Sequence, residues 1–298
     1  MNFSKAKTFL IIMFLAVDIF LLYSLLVNSS SNPFFKNDSY EKVTKLLEER
    51  NIFIETDETI LNQSKFFNLT LKNLSGDKDY FANLILGEFK VDEEGTYSSQ
   101  KGKMTFESGE FCFIPSKGIT LSKNVNDSAL PKEIISILKN SGFSVEKLKY
   151  KETLKDKNGA FLVNYSHIFY EKELLNSPLS VYIRDNSIVE IKGGIYSIHS
   201  FDSENPNLKT KEEILIRFSN LKETDEKIYI SSIKEGYFNP RQEYATFSVI
   251  PSIKITLKSG EIYYFDLIDG KLLENDWFYS VNSKYPLFSK IIYFNLFY

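Results

Sequence analysis

A run of nineteen residues from Phe9 to Val27, FLIIMFLAVDIFLLYSLLV, is interrupted only by Asp18, Tyr23 and Ser24. As a helix it would measure roughly 28 Å, against about 30 Å for the hydrocarbon core of a bilayer. Lys5 and Lys7 precede it, and no Lys or Arg follows until Lys36. The positive charge on one side predicts residues 1–8 in the cytoplasm, a transmembrane helix over 9–27 and all later residues outside. A cleaved signal peptide is the rival reading. The run is longer than a usual signal core, and NSSSNPFFKND after it offers no Ala-x-Ala site, so a retained anchor is expected. A lone carboxylate in lipid is expensive. Asp18 is therefore expected to face a polar group on a neighbouring helix, with Tyr23 as a weak extension of that stripe.

The rest of the chain carries enough apolar material for a real core. Of its 298 residues 43% are hydrophobic and 15% aromatic. With 36 basic and 39 acidic residues the net charge is −3, which leaves no positive field to collect nucleic-acid phosphates. The single cysteine, Cys112, excludes disulfides and multi-cysteine metal sites. It is expected to be a buried structural thiol in the run FCFIP.

The hydrophobic pattern divides the outer part in two. Residues 28–37 read as a linker. A first domain over 38–145 is predicted to start with a helix capped by Asp38, with Glu41 completing a capping box and Tyr40, Val43, Leu46 and Leu47 on one face. Asn51–Ile54 and Phe66–Leu74 read as strands, and Tyr80–Val91 as another. Gly95, Gly102 and Gly109 punctuate short hairpins. Pro131–Asn140 is a helix with Ser128 as a plausible cap. A second domain over 146–298 follows. Its strands are expected at Val145–Leu154, Ala160–Tyr170, Leu179–Ile183, Ser187–Ile191 and IYSIHSF. A helix starts at the Thr210/Glu213 capping box, and a hairpin lies over SIKITLKSGEIYYFDLIDGKLL. Most links are too short for parallel crossovers. The expected class is α+β: one transmembrane helix followed by two extracytoplasmic domains of antiparallel sheet with packed helices.

Signs of catalysis are few. No HExxH, GxSxG, GxGxxG or kinase signature occurs. His167 shares its strand parity with Tyr165 and Phe169 and reads as a packed structural histidine, whereas His199 reads as exposed. The carboxylates form no recognisable pair, so no enzyme, cofactor or metal is expected. The aromatics carry more information. Tyr237 and Phe238 before Pro240, and Trp277 and Phe278 in a late polar stretch, are candidate interface anchors, with a roof over the sheet core as the alternative.

The opening MNFSKAKTFLIIMFLAVDIFLLY resembles the start of the YycI family, with Ser4 and Asp18-Ile19-Phe20-Leu21 as the matching positions and Phe3 in place of the usual Trp. Phe161–Tyr170, Ile188–Ile198, Thr210–Leu221, Ile228–Phe238 and Val249–Leu272 resemble later parts of that family. Glu235-Gly236-Tyr237 stands where Leu-Gly-Tyr is usual. The resemblance implies an accessory regulator in the cell membrane. Its partners would be a sensor histidine kinase of the WalK/YycG type that controls cell-wall metabolism, a YycH-type sister protein and membrane lipid. An exported binding or inhibitor module for a cell-wall hydrolase or peptide is the alternative.

Overall fold

The structure is a computed structural model. It describes residues 13–15, 17–20, 33–55, 65–125, 127–155, 159–204, 207–222, 226–240 and 244–273, and for 33–39 the backbone alone.

In chain order the elements are α1 (Pro33–Glu49), β1 (Ile52–Ile54), β2 (Phe67–Asn73), a 3-10 turn (Leu74–Gly76), α2 (Lys78–Leu86), β3 (Lys90–Val91) and β4 (Tyr97–Ser98). Next come β5 (Gly102–Glu107), β6 (Glu110–Pro115), β7 (Ile119–Thr120), α3 (Leu130–Asn140), β8 (Leu148–Lys155), β9 (Phe161–Phe169) and β10 (Lys172–Leu174). The chain continues through β11 (Leu179–Arg184), β12 (Ser187–Gly193), β13 (Tyr196–Glu204), α4 (Lys211–Leu221), β14 (Ile228–Phe238), β15 (Thr246–Ser248), β16 (Ile250–Leu257), β17 (Ile262–Asp266) and β18 (Leu272–Leu273).

One large sheet runs β18-β17-β16-β14-β10-β9-β11-β12-β6-β5-β4-β3, with β1 on β14, β7 on β12 and β8 on β9. Its strands come from both sides of residue 145. A small sheet, β13-β2-β15, packs beside it. The class is α+β as expected, but the large sheet is mixed rather than antiparallel, because β1 and β10 both run parallel to β14. The short links that argued against parallel pairing do not bear on these contacts. Each joins segments far apart in the chain, so no tight crossover is needed.

Two large cores lie against the large sheet, beside a small cluster of Leu175, Phe238 and Tyr264. One is built by Leu47, Ile52, Leu71, Phe169, Tyr196, Phe218, Tyr237, Ile255 and Phe265 under α1 and α4. The other joins Phe81, Met104, Phe111, Leu138, Val163, Val181 and Ile191 under α2 and α3. Strict register explains the second. Val163, Val181, Ile191, Phe113 and Met104 stand opposite one another on adjacent strands, so one sheet face is apolar across five strands.

Several local expectations change. Helix α1 starts at Pro33, so the stretch read as linker is helical from there and Asp38 lies inside the helix. Proline at the first helical position has no N–H to leave unpaired. Most of the strand expected over Tyr80–Val91 is helix instead: Lys78–Leu86 form α2. Asp77 caps it by accepting a bond from the Tyr80 amide at 3.2 Å, and Phe81, Ala82, Ile85 and Leu86 are buried at helical spacing. A short apolar run fits either period, and the cap settles it. Helix α3 follows Ala129 with no side-chain cap, so Ser128 does not fill that role. The Thr210/Glu213 box forms as read.

The apolar run Phe9–Val27 lies largely outside the described residues. Residues 13–15 and 17–20 within it are helical and exposed, Asp18 among them. No helix among the described residues is long and apolar enough to cross a membrane. This corrects the expectation of a single-pass membrane protein with extracytoplasmic domains.

Candidate functional site

The register that makes one face of the large sheet apolar makes the other polar. Glu152, Asn164, Ser180, Lys192, Cys112 and Thr105 stand opposite one another on β8, β9, β11, β12, β6 and β5. The Asn164 amide donates to Glu152 at 3.2 Å, and the Ser180 hydroxyl donates to Asn164 at 2.8 Å. Burial pushes the Cys112 thiol up to about 12, helped by Glu190, so it stays protonated and is a poor nucleophile. Burial likewise raises the Glu190 carboxyl, with Lys192 opposing.

This polar face continues onto β10, β14 and β16. The Glu173 carboxylate accepts from Lys151 and from the Ser166 hydroxyl, the latter at 2.7 Å. Burial pushes Glu173 up, yet Lys151, Ser166 and Lys254 outweigh it and the pKa is lowered. Lys254 on β16 stands directly opposite Lys234 on β14 and Tyr264 on β17. Its ammonium lies 5.9 Å from the Tyr264 ring centroid. Lys254 is half-buried. Burial first, then Lys151, pull its pKa down to about 8, with Glu173 and Glu152 pulling the other way.

A second polar group is sealed inside, where the two cores meet. Asn176 and Asn239 clasp each other: the Asn176 amide donates to the Asn239 carbonyl, and the Asn239 backbone N–H donates to Asn176 Oδ1, both at 2.8 Å. Asn73 and Ser75 both donate to the Gly109 carbonyl, at 2.7 and 3.2 Å. Between these clasps lie Glu110 at 4% exposure, His167 at 1% and Tyr196 at 2%. Glu110 Oε1, both His167 ring nitrogens and the Tyr196 hydroxyl have no well-aligned hydrogen bond. The Ser177 backbone beside His167, and the Ser177 and Asn239 side chains near Tyr196, act against the effect of burial on these two groups. Burial pushes Glu110 up to about 8, against the pull of Lys192, and pushes His167 down to about 4. The two rings of His167 and Tyr196 meet edge to face at 5.0 Å.

The sequence-derived candidates fall in different places. Tyr237 and Phe238 are buried, Tyr237 in the core under α4 and Phe238 against Leu175 and Tyr264. Both side chains are packed inside the structure. Tyr23, Trp277 and Phe278 lie outside the described residues, and Asp18 is helical and exposed. His167 is packed and His199 exposed, as read. Cys112 is half-buried. Glu110 was missed, as was the Lys234–Lys254 pair. Among the described residues no group of three or more His, Cys, Asp or Glu could hold a metal ion.

No family model matches the chain, and no curated protein matches it. It is similar to a solved structure described as an uncharacterized protein from Eubacterium rectale, with a TM-score of 0.51 and 12% identity over 80% of this chain and 99% of that one. At that identity the likeness shows the fold alone. These comparisons overturn the YycI resemblance, which leaned on a short apolar motif whose composition many helices share. With it go the membrane-anchored kinase-regulator role, its cell-wall setting and the extracytoplasmic placement. Nothing in the fold or the comparisons identifies or excludes the sensor kinase or the sister protein as a partner.

Proposed function

We propose that the protein is a binding module that performs no covalent chemistry, and that it binds through the polar face of the large sheet. One observation carries this reading. The groups best suited to acid–base work, Glu110, His167 and Tyr196, are sealed where no substrate reaches them, while the polar side chains Glu152, Ser180, Lys192 and Thr105, which solvent reaches, belong to one in-register row across adjacent strands. A general acid or base must come within hydrogen-bond reach of its substrate. His167, held neutral down to about pH 4, is also a weak base.

The test is a fragment screen by amide NMR on the intact chain, run beside a panel of chromogenic ester, phosphate and glycoside substrates. The expected result is amide shifts clustered on β8, β10, β14 and β16 with no turnover above buffer. Turnover that disappears in a Glu190→Gln or Glu173→Gln variant would overturn the reading.

A further inference from the structure

Two lysines face each other across β14 and β16. Lys234 and Lys254 are directly opposed in register, so both side chains stand on the same sheet face. Like charges directly opposite in a sheet are unfavourable. Neither ammonium has a salt bridge among the described residues, and Lys254 is half-buried, where an unpaired charge costs more than at the surface. A third lysine, Lys151, approaches from β8 and raises the positive potential at Lys254. The carboxylate that acts most on Lys254, Glu173, is already engaged by Lys151 and Ser166. Glu152 is engaged by the Asn164 amide. The Lys254 ammonium lies 5.9 Å from the Tyr264 ring centroid, and the ring closes one side.

We propose that Lys234 and Lys254, with Lys151 beside them, form a site for an oxyanion, a carboxylate or phosphate group carried by the ligand of the polar face. The proposal rests on the binding-module reading and names its ligand class. An anion seated between the two ammonium groups converts their repulsion into two charge-assisted contacts. It also gives the half-buried Lys254 a direct counter-charge, whereas Glu173 and Glu152 act on it only without a salt bridge. Compact ammonium groups act as point charges, so the site selects for negative charge rather than for planar bidentate shape.

The experiment follows the lysine ε-CH2 signals of the full chain by NMR during titration with inorganic phosphate and, separately, with acetate. The expected result is a saturable shift confined to Lys234, Lys254 and Lys151, with the Lys254 titration midpoint moving upward when the anion is bound. A larger response to phosphate than to acetate assigns the phosphate source, and the reverse assigns the carboxylate. Lys254→Met should weaken binding by at least about tenfold, and Lys234→Met should do so while leaving the fold intact, since it removes a repulsive pair from an exposed position. Absence of any saturable shift with either anion overturns the oxyanion site. If fragments still bind elsewhere on the polar face, the binding-module reading survives that failure. If none bind anywhere, both fall.

Discussion

The Tyr237 hydroxyl holds both backbone polar groups of Phe67: it accepts from the Phe67 N–H at 3.0 Å and donates to the Phe67 carbonyl at 3.1 Å. This one side chain ties β14 of the large sheet to the first residue of β2 in the small one. Tyr237→Phe keeps the ring, which packs edge to face on Phe66 at 5.4 Å, and removes both bonds. Each is worth about 1 kcal/mol net, so the expected loss is about 2 kcal/mol in urea unfolding. A loss indistinguishable from zero would show that water replaces the hydroxyl without cost.

Glu110 predicts a loss of stability on the alkaline side. Its folded pKa of about 8 lies above the ordinary 4.5, so the folded state holds the proton more tightly than the unfolded chain. Below about 4.5 this group costs nothing. As pH rises from there the unfolded state is favoured, and the full penalty is reached above about 8, at most about 5 kcal/mol for such a shift. Glu110→Gln should match the parent near pH 4.5 and be more stable at pH 8.5. Equal pH slopes for the two proteins would mean that the carboxyl is solvated or paired.

His167 acts in the opposite direction. Its folded pKa of about 4 lies below the ordinary 6.5, so its neutral form is favoured on folding. The stability is fully present above about 6.5 and is lost as pH falls toward 4, by up to about 3 kcal/mol. His167→Phe keeps an aromatic ring against Phe169 and Tyr196 and should flatten the acid limb of the stability profile. An unchanged acid limb in thermal unfolding from pH 7 to pH 4 would sink the assignment.

Gly236 on β14 stands opposite Glu173 on β10 with no room for a side chain. A Cβ there would lie 2.3 Å from the Glu173 carbonyl oxygen and 2.7 Å from the Leu175 side chain. The backbone oxygen cannot step aside without parting the parallel pair Glu173–Gly236. Gly236→Ala should cost about 3 kcal/mol or more and shift the denaturation midpoint accordingly. A variant as stable as the parent would mean that the two strands separate freely.

Elements fixed by neighbours in sequence were legible before the fold was known. Thr210 and Glu213 announce α4 by satisfying each other's backbone donors within four residues. Alternation placed β16 and β17, and the Arg184–Asn186 turn placed β11 against β12. Helix α2 was misread because FANLIL satisfies two periods at once, and only the Asp77 cap separates them. The candidate site was not legible. Lys234 and Lys254 face each other through sheet register between distant segments, and Glu110 is sealed where β6 approaches Tyr196, which comes from β13. Tyr237 and Phe238 looked like surface anchors beside Pro240, yet Tyr237 packs into the core under α1 and α4 and Phe238 packs against Leu175 and Tyr264.

The pairings of β1 with β14 and of β2 with both β13 and β15 join the beginning of the chain to its last third. A ribosome that has released the first hundred residues has therefore delivered Leu69 and Leu71 with no partner strand to cover them. Such long-range closures are slow, since loop entropy is lost before any contact repays it. Synthesis of this protein leaves an apolar strand unpaired until β13 has been made, a longer exposure than a sheet closed by neighbouring strands would suffer.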